Sequence, residues 1–402
     1  MTPTLRVAVR RFGPFETGIV KQFSDFCRVT GADATLEITA FDLNPLHEAL
    51  FQRRELANGD WDIAFLSTDW IAEAQAAGLV ENLAPFMDAR PIPDFPEAWS
   101  PSLLNLQRFA GGFWGMPYHD GPQCLIYRTD LLARAGLPAP RTWDDFRATA
   151  RRLHDPANGV SGTVLALFPD GHNAFYDFCI HLWTRGGAPF DAAGKPDIAT
   201  PAGHAALDFL RDLARDTRAV APNPHDLDSV KSGLLFCDGK VAMMANWFGF
   251  AALGDTWDAS RVRGRVGIAP LPSGPGGGSV SLNVFWMLTM ASGSRHKDLV
   301  WDFMRHCATP AMDRLTTTEG AIGVRRSTWA DAEVNRAVPY YHKLDELHAH
   351  ARELPVHPRL SEMSHVIDAM MTEATTTDRP TGDLLAAAQA RLAIIVEAHS
   401  NA

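Results

Sequence analysis

The chain has 402 residues, of which 46% are hydrophobic and 21% are charged. This composition is ordinary for a globular protein and excludes a disordered or low-complexity chain. The net charge is −10, so the chain lacks the basic excess of a general nucleic-acid binder. No apolar run reaches the roughly 18 residues that a membrane-spanning helix needs. The length predicts about two to three domains.

The N-terminal part of the chain alternates strands with helices. Short runs rich in apolar and β-branched residues predict strands over 5–9, 35–40 and 61–66. Apolar residues at helical spacing predict helices over 15–29 and 45–57, and a third that begins at the Ser67-Thr68-Asp69 cap and ends near residue 77. This alternation is typical of a parallel α/β sheet.

The remainder of the chain begins with a proline-rich, irregular stretch over 85–101. Extended segments are then predicted over 113–118, 123–127, 164–168, 241–246, 264–270 and 280–290. Helices are predicted over 130–135, from 142 onward, and over 174–184, 201–217, 298–307, 310–317, 361–372 and 383–399. No flexible linker separates these elements, so the domains should be joined by ordered connections.

The cysteines and the N-terminus bear on the compartment. The five cysteines are far apart in the sequence and form no CxxC pair, which argues against a disulfide framework and against a zinc site. One long-range disulfide stays open if the protein is exported. The apolar stretch over 5–9 is too short for a signal peptide. Either the protein is cytosolic, or its leader is missing from this chain.

Motifs for catalysis and for cofactor binding are weak or absent. The glycine-rich loop GPGGGS over 274–279 lacks the Gly-Lys-Ser/Thr of a phosphate loop and opens no helix, and neither GxSxG nor HExxH occurs. His348 and His350 should point to different sides of a solvated helix. Tyr340 and Tyr341 resemble the tandem tyrosines of some ferric-iron binders, but packing is the better interpretation. We expect no cofactor, metal or catalytic residues, although a pair of carboxylates that meets only in space stays open.

Five segments, in order along almost the whole chain, resemble the extracellular solute-binding proteins of ABC importers, specifically the carbohydrate-type class that includes maltose-binding protein. Arg128 departs from the asparagine that is usual in the second segment. The segments are WDIAFLSTDW (61–70) with AGLVENL (77–83), GMPY (115–118) with LIYRTDLL (125–132), PRTWDDF (140–146), FCDGKVAMM (236–244) and GAIGVRRS (320–327).

The resemblance implies a two-lobed α/β fold of the periplasmic-binding-protein type, with a hinge and a ligand cleft between the lobes. Lobe 1 would comprise residues 1–116 and 287–318, and lobe 2 residues 117–286 and 319–402. Hinge closure would capture a small polar solute, most simply a sugar or sugar derivative, and present it to the permease subunits. The protein would be a periplasmic or extracellular monomer that makes and breaks no bond. A cytosolic sensor or an enzyme on the same fold is the alternative.

Candidate ligand-binding residues follow strand ends and the expected crossings between lobes, where aromatic platforms and polar side chains suit a sugar. Each could instead be a helix cap, a core aromatic or a surface charge, and Asp69 is also a plausible N-cap. The candidates are Arg11, Phe12, Asp69, Trp70, His119, Asp120, Asn173, Tyr176, Asn246, Trp247, Trp286 and Arg325.

Four arginines raise a further hypothesis about the charge of the ligand. They are Arg10, Arg11, Arg325 and Arg326, and a neutral sugar needs few of them. A sugar acid, phosphate or sulfonate would be bound by one or two arginines. The hypothesis is therefore that the ligand carries a negative group held by Arg325.

Overall fold

The chain was studied as a computed structural model, which describes residues 2–400. It forms two compact units. The first unit comprises residues up to 121 together with 283–348 and 353–360, and the second comprises 122–282, 349–352 and the residues from 361 onward. The predicted second lobe also included 319–348 and ran to 402; residues 401–402 lie outside the described range.

Residues 319–348 belong to the first unit because backbone and side-chain hydrogen bonds hold them there. The carboxylate of Asp313 accepts hydrogen bonds from the backbone nitrogens of Val324 and Arg325, at 2.8 and 3.1 Å. The backbone nitrogen of Asp120 donates to the carbonyl oxygen of Ile322 at 2.9 Å. The predicted crossing at 319 is therefore corrected to a position about thirty residues further along the chain.

The first segment of the chain carries six strands and five α-helices. A π-helix over Glu48–Gln52 and a 3₁₀ turn over Thr68–Trp70 interrupt the helices that were predicted over 45–57 and 68–77. The elements are β1 (Thr4–Arg10), α1 (Gly13–Thr30), β2 (Thr35–Phe41), α2 (Leu43–His47), α3 (Glu55–Asn58), β3 (Ile63–Ser67), α4 (Ile71–Ala76), α5 (Ala84–Ala89), β4 (Arg108–Phe109), β5 (Gly112–Phe113) and β6 (Met116–His119).

The second segment carries four strands and six α-helices. The side chain of Thr142 accepts a hydrogen bond from the backbone nitrogen of Asp145, which confirms the predicted cap at this position. The elements are β7 (Gln123–Arg128), α6 (Thr129–Ala135), α7 (Trp143–Leu153), α8 (Asn173–Trp183), α9 (Pro201–Ala214), α10 (Ser229–Cys237), β8 (Met243–Trp247), α11 (Phe248–Thr256), β9 (Val266–Ala269) and β10 (Ser281–Leu282).

The third segment carries two strands and seven α-helices. Its first strand begins after Asn283, Val284 and Phe285, which separate it from β10, so the predicted extended run over 280–290 is two strands. The elements are β11 (Trp286–Met290), α12 (Lys297–Cys307), α13 (Pro310–Thr318), α14 (Arg326–Trp329), α15 (Ala332–Ala337), α16 (Leu344–Ala349), β12 (Ala351–Arg352), α17 (Leu360–Thr376) and α18 (Thr381–Ser400).

The first unit is built on a five-stranded sheet of order β2-β1-β3-β11-β6. The strands β1, β2 and β3 are parallel, with Val7 opposite both Ile38 and Ile63. The strand β11 is antiparallel to β3 and to β6, so the predicted parallel sheet is mixed. Consequently β1, β3 and β6 end at the same edge of the sheet, where β11 begins.

The second unit has a smaller sheet of order β8-β7-β9, in which both neighbours of β7 run antiparallel to it. Residues 164–168 form no strand, contrary to the prediction. Their neighbour Thr163 makes only an isolated bridge with Val220, while Leu167 and Phe168 donate backbone hydrogen bonds to loop residues. This loop leads directly into α8.

Candidate functional site

One edge of the five-stranded sheet collects several of the predicted residues in the first unit. Phe12 follows β1, and Asp69 and Trp70 follow β3. His119 ends β6, and Trp286 begins β11 opposite both Ser67 and His119. Because strands that end at one edge bring their following residues together, this edge is a natural place for a ligand.

The rings at this edge form one connected aromatic cluster. The ring centroid of Phe15, which the sequence did not single out, lies 5.1 Å from that of Phe12, 4.9 Å from His119 and 6.0 Å from Trp286. Trp286 also contacts Trp70 edge to face at 6.0 Å. Phe15 and Trp70 are buried, whereas Phe12, His119 and Trp286 are half-buried. These three half-buried rings present the exposed part of the cluster, here called the first-unit ring set.

His119 offers a hydrogen-bond donor within the first-unit ring set. Its Nδ1 atom accepts a hydrogen bond from the backbone nitrogen of Ile322 at 2.8 Å, so the proton of a neutral ring is on Nε2. Burial lowers the pKa of His119 to about 4, and Asp120 opposes this effect only in part. At neutral pH the ring is therefore uncharged and presents an N–H group.

Asp69 lies at the same edge, within the 3₁₀ turn rather than at its cap. The N-cap position of that turn belongs to Ser67, whose side chain makes no capping hydrogen bond. Asp69 is half-buried and lines a small enclosed recess together with Asn283 and His357. The alternative of Asp69 as an N-cap is therefore wrong, and its carboxyl is placed among other polar groups of the first unit.

Asp120 has a different environment from its neighbour His119. It is buried, and its Oδ2 atom accepts a hydrogen bond from Nε2 of His348 at 2.7 Å. The Nδ1 atom of His348 lies 2.8 Å from the hydroxyl of Ser102, and its ring stacks on Trp329 at 5.0 Å. His348 is thus buried, and the predicted solvated helix is wrong at this position. Asp120 holds the interior of the first unit together and is not part of the ring set.

The two predicted arginines are both engaged by protein groups. Arg325 is buried, with Nη1 donating to the carbonyl oxygen of Ala308 at 2.8 Å and Nη2 to Asp94 at 3.3 Å. Its guanidinium lies 4.5 Å from the ring centroid of Trp99. Arg11 is exposed and donates to the carbonyl oxygen of Ala40 at 2.9 Å. The structure therefore uses Arg325 in packing, which leaves the hypothesis of an anionic ligand without its central residue.

In the second unit, the end of β8 meets the start of α8. The rings of Tyr176 and Trp247 contact each other edge to face at 5.8 Å, and His172 lies 5.2 Å from Tyr176. Tyr176 is buried, whereas Trp247 and His172 are half-buried. Tyr176 and Trp247 are thus brought together as an aromatic group of this unit.

The two predicted asparagines of the second unit have structural partners. Asn173 is buried and its Nδ2 atom donates to Asp170 at 2.8 Å. Asn246 is buried and donates to the carbonyl oxygen of Ser229 at 3.0 Å, while its Oδ1 atom accepts from the backbone nitrogen of Trp247 at 2.8 Å. Both amides therefore fix the backbone around Tyr176 and Trp247.

The loop before α8 is held by buried acidic groups. Asp170 accepts from the backbone nitrogens of His172 and Asn173, at 2.9 and 3.1 Å. Asp368 accepts from the backbone nitrogen of Gly171 at 2.6 Å, and burial raises its pKa to about 7. Gly171 has a φ of +79°, and a Cβ atom there would lie 3.0 Å from the ring of His365. These hydrogen bonds fix the backbone conformation at the start of α8.

Asp177 is the residue at this site that the sequence analysis missed. It follows Tyr176 and is half-buried, and it has no hydrogen-bond or ion-pair partner among the side chains of residues 2–398. Burial alone raises its pKa to about 8. Its spacing of four residues from Asn173 was the available signal, since residues four apart share one face of a helix.

No group of three or more histidine, cysteine, aspartate or glutamate side chains among the described residues has the geometry to hold a metal ion. Within the same range, no helix has both the length and the apolar character needed to cross a membrane.

A family model for bacterial extracellular solute-binding proteins matches residues 42–313, about two thirds of the chain. The chain belongs to this family. A probable ABC transporter-binding protein of Deinococcus radiodurans is 24% identical over 279 residues, which cover 68% of this chain and 66% of the relative, just under two thirds of its length. The resemblance identified in the sequence is thereby confirmed.

Solved structures of such proteins show the same fold. A maltose-bound MalE3 from T. maritima superimposes with a TM-score of 0.90 at 24% identity, covering 98% of this chain and 100% of that one. A solute-binding protein from Agrobacterium radiobacter, in complex with ribitol, gives a TM-score of 0.88 at 22% identity and covers 98% of each chain. These matches confirm the predicted two-lobed fold for this solute-binding protein.

Proposed function

We propose that this protein is the substrate-binding component of an ABC importer and that it captures a sugar or a sugar derivative. Family membership supports the binding role, and relatives of the same fold include proteins bound to maltose and to ribitol. The observation that carries the proposal is the first-unit ring set. Three half-buried rings at one strand edge offer apolar platforms of the kind that sugar rings stack on.

Polar groups beside the rings match the hydroxyl rim of a sugar. The neutral His119 donates from Nε2, and Asp69 supplies carboxylate oxygens at the same edge. The second unit has an aromatic and an acidic candidate of its own, the half-buried Trp247 and Asp177. Hydroxyls that lose water on binding need such partners, because an unpaired polar group costs a few kcal/mol, about 1–3 from protein mutations.

The partners and the location follow from this role. The two compact units serve as the two lobes, and the loaded protein delivers its ligand to the membrane subunits of a permease. It works as a periplasmic or extracellular monomer and catalyses no reaction. Curated relatives are named a probable ABC transporter-binding protein and a putative ABC transporter periplasmic-binding protein, which supports the transport role and the location.

Thermal unfolding against a panel of sugars, polyols, amino polyols and sugar acids tests the proposal. A ligand at 100 times its dissociation constant adds about 2.7 kcal/mol to the native state, which raises the unfolding midpoint of a chain of this size by roughly 3 °C. A shift with one chemical class supports the proposal and names that class. The absence of any shift, with no small molecule released on denaturing the protein, contradicts it.

A further inference from the structure

One face of α8 combines a carboxyl group with an aromatic ring. Asn173, Tyr176 and Asp177 recur at positions i, i+3 and i+4 of this helix, so their side chains lie on one face. The ring of Tyr176 contacts the half-buried ring of Trp247, which brings the end of β8 to the same place. We call Tyr176, Asp177 and Trp247 the α8 group.

Asp177 differs from the other acidic groups around this helix. Asp170 and Asp368 are satisfied in part by backbone N–H groups of the preceding loop. Asp177 receives no such hydrogen bond from the residues that the structure describes, and no arginine or lysine among them pairs with it. A half-buried carboxyl group without a partner loses part of its hydration and gains no hydrogen bond or ion pair that stabilises the fold. An unsatisfied acidic group beside aromatic rings is the usual mark of a binding function.

Asp177 can be reached from solvent, because the residue is only half-buried. Burial raises its pKa to about 8 with no charged neighbour contributing, so the carboxyl group is largely protonated at neutral pH in the free protein. A cation that binds next to it favours the ionised form and lowers that pKa. Binding of a cation would therefore supply the charged partner that keeps Asp177 ionised.

The charged candidate of the α8 group is acidic. Arg325, the arginine predicted to hold an anion, is engaged in the buried interior of the first unit. The candidates of the second unit that could face a ligand are the carboxyl group of Asp177 and the ring of Trp247. Both types of group attract a cation, the ionised carboxylate by charge and the indole by its quadrupole.

We propose that Asp177 binds a positively charged nitrogen of a polyhydroxylated ligand, so that the substrate class is amino polyols and amino sugars. This assignment rests on the proposed function, because it concerns the ligand of the same binding protein. The ammonium group would be the ion-pair partner that Asp177 lacks among the described residues. The face of Trp247 would lie beside it. An anionic sugar would gain no partner of opposite charge at the same position.

The test compares matched compounds that differ only in charge. The pairs are glucamine with glucitol and galactamine with galactitol, with gluconate as the anion, and affinities are measured by calorimetry at neutral pH. The amino polyol of at least one pair should bind about tenfold or more tightly than its neutral partner. The Asp177→Asn variant should lose about tenfold in affinity for the amino polyol and stay within about twofold for the neutral compound.

Asp258→Asn is the matched control, because Asp258 is an exposed carboxylate of the same unit. It makes the same change from a carboxyl group to an amide and should leave every affinity unchanged. Thermal unfolding of Asp177→Asn checks that the variant is folded, which we expect because an amide loses less on burial than a carboxylate.

Two outcomes overturn the proposal while leaving the binding function intact. In one, the neutral or anionic compounds bind as tightly as the amines or more tightly. In the other, the preference for the amine persists in Asp177→Asn. If no compound of any charge raises the unfolding midpoint of the wild type and no small molecule is released on denaturing it, the proposed function fails and this proposal fails with it.

Discussion

Asp120 and His348 are 228 positions apart in sequence, yet Oδ2 of the first lies 2.7 Å from Nε2 of the second inside the first unit. His348 is the last residue of one segment of this unit, and Asp120 precedes the last residue of another. Ser102 and Trp329 complete the surroundings of the histidine ring. This pair therefore joins two segments of the unit at the points where the chain leaves it.

The first prediction concerns this pair. Replacing either partner, as in His348→Ala or Asp120→Ala, should lower the free energy of unfolding by about 3–5 kcal/mol, because the remaining group stays buried without its partner. Chemical denaturation measures the change. A double-mutant cycle should show that the two losses are far from additive. Two small, additive losses would contradict the prediction.

Arg325 should act on stability rather than on ligand charge. Arg325→Ala removes a buried guanidinium that bonds to Ala308 and Asp94 and covers the ring of Trp99, so the free energy of unfolding should fall by about 2–4 kcal/mol. Arg11→Ala, at an exposed position, should change it by less than about 0.5 kcal/mol. Chemical denaturation of both variants is the measurement. A normally stable Arg325→Ala variant that loses only its ligand would show that the structural role is misassigned.

Trp286 should be required for ligand binding. Trp286→Ala removes a half-buried platform of the first-unit edge, and the affinity for the ligand found in the panel should fall roughly 10- to 100-fold. Calorimetric titration gives the number. Trp257, which is 37% exposed in the second unit, provides the matched control, and Trp257→Ala should bind as the wild type does. Equal losses in the two variants would argue against a specific platform.

Asp368 predicts a pH dependence of stability with a definite sign. Burial raises its pKa from 3.8 to about 7 in the folded protein, so between these values the native state holds a proton that the unfolded state has released. The contribution of this group to the free energy of unfolding is therefore complete below about pH 4 and is lost as the pH rises through about 7. Asp368→Asn keeps an oxygen for the backbone nitrogen of Gly171 but removes the titration.

The measurement is the difference in unfolding free energy between the wild type and Asp368→Asn across this pH range. The difference should move in favour of the variant as the pH rises from about 4 to 7, by up to about 1.4 kcal/mol per pH unit. A difference that is flat with pH would show that Asp368 titrates normally.

Local sequence patterns predicted the elements whose conformation is determined by residues a few positions apart. The strand ends that precede Phe12, Asp69 and His119 were predicted because alternation, caps and turn residues act over a few positions. The strand over 164–168 failed for the complementary reason. The backbone of this segment is hydrogen-bonded to loop residues beyond position 220, and the sequence around 164–168 does not indicate such distant partners.

The sequence by itself determined the family, the two-lobed fold and the strand-end residues of the first unit. The order of the motifs and the hydrophobic periodicity are properties of the sequence and can be read without the tertiary structure. Only the tertiary structure decided which polar groups remain for a ligand. Arg325, Asp120 and His348 are occupied by partners more than 200 residues away, whereas Asp177 has no such partner within the described part of the chain. Burial and pairing depend on what the rest of the fold brings to each side chain, and that is a property of the folded chain as a whole.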